Sequence, residues 1–130
     1  MPHFPEDYQP PASRAELEAR YAAGERSFPE TELSGADLSR IVLDGADFGR
    51  HSWFADANFS GASLRGASFR ECNVKCANFS NADLTGATFE LAAIESIKAT
   101  GSRQEGVKVE GATFYGCELR EGDELPSWEW

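Results

Sequence analysis

The chain has 130 residues, the length of one domain, and carries 22 acidic against 12 basic residues for a formal charge of −10. That balance repels phosphate backbones and anionic lipid, so it disfavours direct binding of nucleic acid or membrane and leaves a basic protein as the fitting partner. Cys72, Cys76 and Cys117 show no disulfide-scaffold spacing, His3 and His51 show no ligand spacing, and no apolar run approaches membrane-spanning length.

In chain order, Pro2, Pro5, Pro10 and Pro11 make residues 1–12 an extended lead-in. The start, Met-Pro-His-Phe-Pro, lacks the basic region and apolar run of a signal peptide, so a reduced, cytoplasmic protein is expected. A helix is predicted next. Ser13 and Glu16 form an S-x-x-E capping box, and Gly24 stands where a helix C-terminus wants it. Its apolar stripe, Leu17 and Tyr21, is too thin to form a core and suits lying across something else. Phe28 and Pro29 then lead into the next segment.

From Leu33 the pattern has a period of five. Apolar residues recur at Leu38, Leu43, Phe48, then Phe54, Phe59, Leu64, Phe69, Val74, Phe79, Leu84 and Phe89. Two positions before most of them stands a small residue, such as Ala46, Ala57, Ala67 or Ala82, with a short polar residue between. Neither a helix nor a strand has this period. Cys72 and Cys117 fall in the small slot and are expected as buried free thiols, whereas Cys76 falls at a corner. Asp and Asn in the polar slot are expected to form the turns.

One residue is inserted between Phe48 and Phe54, which implies a corner bulge with Phe54 inside and Trp53 partly exposed. Beyond Phe89 the pattern weakens but keeps step, with Gly101, Gly106, Gly111 and Gly116 at the corners and Gln104 in an apolar slot. Leu91, Ile94 and Ile97 also have helical spacing, but an inserted helix would seldom restore the five-residue phase, so the repeat is preferred. The end, Asp-Glu-Leu-Pro-Ser-Trp-Glu-Trp, is acidic and aromatic.

The units Ala36-Asp37-Leu38, Ala46-Asp47-Phe48, Ala57-Asn58-Phe59, Ala77-Asn78-Phe79 and Ala82-Asp83-Leu84 resemble the pentapeptide-repeat family over about residues 33–121. The resemblance implies an all-β fold: a right-handed quadrilateral parallel β-helix, one pentapeptide per side, with large and small slots pointing inward. Both open ends of such a coil need covering. The chain therefore divides into 1–32 (lead-in and capping helix), 33–121 (β-helix) and 122–130 (C-terminal cap), with Leu125, Trp128 and Trp130 suited to the far end. The family includes topoisomerase-binding proteins that imitate duplex DNA and immunity proteins that neutralise toxins, and none of these roles needs catalysis by the repeat.

No catalytic constellation, cofactor motif or metal site is visible, so an enzyme is not expected. Charge placement bears on the two binding roles. Residues 1–32, 33–89 and 90–130 carry net charges of −4, −1 and −5, so the regular rod is nearly neutral. Residues 20 apart should stack, placing Arg70, Glu90 and Glu110 in one mixed column and Asp83 under Arg103. This favours an immunity protein against a basic toxin, such as a nuclease, over a DNA-mimicking binder of DNA gyrase. A monomer or weak homodimer is expected. The candidate contact residues are Trp53, Glu110, Tyr115, Glu118, Glu121, Asp123, Glu124, Trp128 and Trp130.

Overall fold

A computed structural model describes residues 7–127. Over most of this span the chain coils, and each side of a coil meets the next through one parallel bridge, as in Asn58↔Asn78, Ser63↔Asp83 and Ala93↔Thr113. The offset between bridged residues is 20, except across the inserted residue, where Glu32↔Trp53 and Asp47↔Ser68 are 21 apart. The insertion is thus felt for one circuit and then vanishes. The first bridge, Ser27↔Asp47, lies upstream of Leu33, inside the segment read as a lead-in. The 90–100 segment keeps the coil, with bridges at Ala93 and Lys98, and is not a helix.

Inside, Phe28, Phe48, Phe69 and Phe89 stack in one column at centroid spacings of 5.8, 5.5 and 5.2 Å. Phe59 and Phe79 stack in another at 5.1 Å, and edge-to-face contacts such as Phe69–Phe79 join the columns. All of these rings are fully buried, each contributing roughly 1.5–3 kcal/mol by burial. The inward alanines leave room for them. At the corners, a central carbonyl accepts from the N–H three residues on, as Phe54 O does from Ala57. The residue before that N–H has φ > 0, which is why glycine recurs there and why Leu91, at φ 59, is an unfavourable occupant. The polar slot fixes the turn by accepting the N–H two residues on: Asn58 from Ser60, Asn78 from Ser80, Asp83 from Thr85.

Helix α1 spans Arg14–Ala22. Ser13 Oγ accepts from Glu16 N–H at 3.1 Å, but Glu16 reaches back to Ala12 N–H, so the expected box closes one residue early. At the other end, Gly24 at φ 103, with Gly24 N–H to Tyr21 O and Glu25 N–H to Arg20 O, makes a Schellman stop. Leu17 is fully buried in the core cluster. Arg14 donates to Asp37 O and Tyr21 to Asp44 O, while Tyr8 donates to Pro29 O. In later coils the matching carbonyls, Asn58 O and Arg65 O, accept from the preceding coil's N–H groups.

Candidate partner-binding surface

The C-terminal end departs from the repeat where the chain reverses. Strands β1 (Thr113–Phe114) and β2 (Cys117–Glu118) pair antiparallel, with Phe114 opposite Cys117. Tyr115 and Gly116 between them have φ of 48° and 79°, the left-handed pair that a two-residue type I′ hairpin requires. Gly116 therefore closes a hairpin, where the five-residue phase makes it a coil corner. The reversal also corrects the expectation for Cys117: it is exposed, because its slot no longer faces a coil interior. Cys72 is buried as expected.

After the hairpin, Leu119 pairs with Gly111 and Ala112, and a turn with Gly122 at φ 88 lets Asp123 Oδ2 accept from Arg120 N–H at 2.8 Å. Leu125 enters the core cluster, and Ser127 Oγ accepts from Ala99 N–H at 2.9 Å. This path gathers the acids. Glu110, Glu118 and Glu121 line one hollow of about 390 Å³ with Leu119 and Arg120. Asp123 and Glu124 line a second, of about 520 Å³, with Gln104, Val107 and Glu105. Glu105 was not singled out in the sequence; it stands just past the last apolar slot of the final coil, and that position was its only signal.

Tyr115 is exposed beside this end, its hydroxyl hydrogen-bonded to Ser96 Oγ and its ring edge-on to Phe114 at 5.0 Å. Trp53 is half-exposed, with Phe54 buried, but belongs elsewhere. Its column runs Trp53, Asn73, Ala93, Thr113, so it stands three coil steps from the hairpin, roughly 14 Å at ~4.8 Å per step. Trp128 and Trp130 lie outside the described residues. The rod surface between carries Arg65–Asp83 and Arg70–Glu71 ion pairs at 3.8 and 2.7 Å, both exposed and each contributing little. Arg70 thus pairs with its neighbour in sequence, not with Glu90 in its column. Among the described residues, no three of His, Cys, Asp and Glu converge as a metal site, and no helix is long and apolar enough to cross a membrane.

A third hollow, about 180 Å³, lies at the bulge among Ser27, Asp47, Gly49, Arg50 and Arg70. The bulge has its own polar interior. Thr31 and Ser52 are fully buried, and both hydroxyls approach Phe28 O, at 2.8 and 3.4 Å. Ser52 Oγ also accepts from Thr31 N–H, and Cys72 Sγ lies 3.1 Å from Phe48 O. Burial pushes the Cys72 thiol up to about 12.

The sequence profile of pentapeptide repeats matches eight copies over residues 54–90. The chain is a pentapeptide-repeat protein. Its structure is similar to that of the pentapeptide-repeat protein Rfr23 from the cyanobacterium Cyanothece 51142, at a TM-score of 0.67 and 24% identity over 79% of this chain. The alignment spans only 64% of Rfr23, and at that identity it shows the shared fold alone, the right-handed β-helix. A pentapeptide-repeat protein from the Arabidopsis thaliana thylakoid lumen aligns at 33% identity over 76% of this chain and 72% of its own, with a TM-score of 0.47. QnrB1, a plasmid-mediated fluoroquinolone resistance protein, aligns at 19% identity over 69% of this chain and 60% of its own, with a TM-score of 0.33, too distant to carry functional weight. Comparison with curated protein sequences gives no match.

Proposed function

We propose that this pentapeptide-repeat protein is a non-catalytic binding module whose acidic C-terminal end engages a basic protein. In its most concrete form it is a cytoplasmic immunity protein that binds and neutralises a bacterial antagonistic toxin such as a DNase effector. The observation that supports this reading is the convergence of Glu110, Glu118 and Glu121 around one hollow and Glu105, Asp123 and Glu124 around the next. Localised negative charge on a rigid support speeds encounter with a cationic partner, and exposed Tyr115 offers an aromatic anchor beside it. In this reading residues 1–32 supply the lead-in and capping helix, 33–121 the rod, and 122–130 the closing segment. The helix works as a cap because Leu17 covers the core while Arg14 and Tyr21 meet edge carbonyls.

The alternative is a binder of DNA gyrase. A duplex presents one negative charge every ~1.7 Å, whereas this rod mixes signs along its length, as at Arg65–Asp83. Pull-down from a strain expressing the neighbouring genes should recover a basic toxin. Protection of gyrase from quinolones, with no toxin recovered, would decide for the alternative.

A further inference from the structure

The two ends of the coil are finished differently. Near α1, side chains meet the edge carbonyls Asp37 O, Asp44 O and Pro29 O. At the far end the hairpin covers one side, through Ile94 N–H to Thr113 O, and Ser127 covers the next, at Ala99 N–H. The sides formed by residues 102–109 are left open.

The coil below shows what is missing there. Ala82 O and Ala87 O accept from Arg103 and Lys108 N–H, while Leu84, Gly86 and Phe89 N–H donate to Arg103, Glu105 and Lys108 O, all at 2.7–3.0 Å. Their counterparts one coil on are Ser102 O, Val107 O and the N–H groups of Gln104, Gly106 and Val109. Among the described residues these have no main-chain partner. An unpaired edge of this kind is a template for an added strand. The 520 Å³ hollow lies along it, and its charged lining is Glu105, Asp123 and Glu124, with no base. A second copy docked on this edge would bring the same three carboxylates against themselves, which opposes self-pairing.

We propose that the open edge at 102–109 takes up an extended, basic segment of a partner protein as an additional β-strand. Its carbonyls accept from Gln104, Gly106 and Val109 N–H, and its lysine or arginine side chains reach Glu105, Asp123 and Glu124. This rests on the reading of the acidic C-terminal end as the binding end and specifies how that end holds its partner.

The probe is a blocked octapeptide alternating lysine and threonine, with a glutamate–threonine peptide as control, titrated calorimetrically into the full chain. The lysine peptide should bind and the control should not. N-methylation of one alternate set of its amides should weaken binding at least tenfold, about 1.4 kcal/mol, while methylation of the other set leaves it unchanged. Glu105→Gln with Glu124→Gln should weaken it by a similar factor. Amide exchange should slow at Gln104, Gly106 and Val109. Indifference to N-methylation would overturn the proposal, since attraction would then be by charge alone. So would absence of binding at millimolar peptide. Edge amides already protected in a two-chain assembly would overturn it by giving the edge to a second copy. A captured partner that loses affinity on Glu121→Lys with Asp123→Lys, yet leaves the 104–109 amides exchanging freely, refutes edge pairing and leaves the wider reading intact. Peptide pairing at the edge, with a partner indifferent to that reversal, does the opposite.

Discussion

Thr31, Ser52 and Cys72 occupy one inward column above Ala92 and Ala112, and their polarity follows from backbone accounting. In regular corners the central carbonyl is satisfied by the N–H three residues on, but Thr31 N–H is turned to Ser52 Oγ and the inserted residue separates Phe48 from its usual donor. A buried carbonyl without a partner costs about 1–3 kcal/mol, so hydroxyls and a thiol take the place of the lost N–H groups. Cys72→Ala, which leaves Phe48 O bare, should lower stability by about 1–2 kcal/mol in denaturant unfolding, whereas Cys72→Ser should largely preserve it. Because burial raises this thiol to about 12, its stabilising share is complete below the unfolded thiol's ordinary range near 9 and is lost as pH rises toward 12. Cys72→Ser should therefore flatten the alkaline limb of the stability profile. Asp83 runs the other way: the Thr85 hydroxyl and N–H, with Arg65 and Arg103 nearby, hold its carboxyl below the usual range. Its contribution is present above about pH 4 and lost as pH falls through the depressed value. Asp83→Asn, which keeps the acceptor oxygen, should give a shallower acid limb in the same titration.

At the scale of elements, α1 and the phenylalanine columns support different parts of the rod. Leu17→Ala should cost about 2–4 kcal/mol, because the cavity would open onto the first coil with little to collapse into it. Tyr21→Phe should cost about 1 kcal/mol by freeing Asp44 O, and hydrogen exchange should rise first near residues 37–47. In the middle of the rod, Phe69 touches the rings of Phe48, Phe54, Phe59, Phe79 and Phe89. Phe69→Ala should cost about 3–5 kcal/mol, whereas Phe114→Ala, at a half-buried position near the hairpin, should cost clearly less. Equality of the two would mean that the hairpin is as integral to the core as the central coils.

At the scale of the molecule, charge and architecture are segregated: a nearly neutral rod carries an acidic end. Glu121→Lys with Asp123→Lys should weaken a basic partner at least tenfold, chiefly through slower association at low salt, with the unfolding midpoint unchanged because both positions are exposed. The same reversal in Glu32 and Asp37, near α1, should leave partner affinity intact. Weakening there instead would move the interface to the opposite end.

The five-residue period by itself determined the coil, its inward columns, the turn role of Asp and Asn, and the placement of Phe54 inside with Trp53 outside. Those features follow from local spacing, since a coil of fixed circuit length places every residue by its number. Tertiary structure decided what local spacing does not encode. Gly116 keeps the corner phase, yet with Tyr115 it closes a hairpin and turns Cys117 outward, because β2 pairs back on β1 and no further coil is laid down. Glu105 joins Asp123 and Glu124 only because the chain folds back after Leu119. The open edge at 102–109 exists because that return path covers two sides of the last coil and leaves the others without partners.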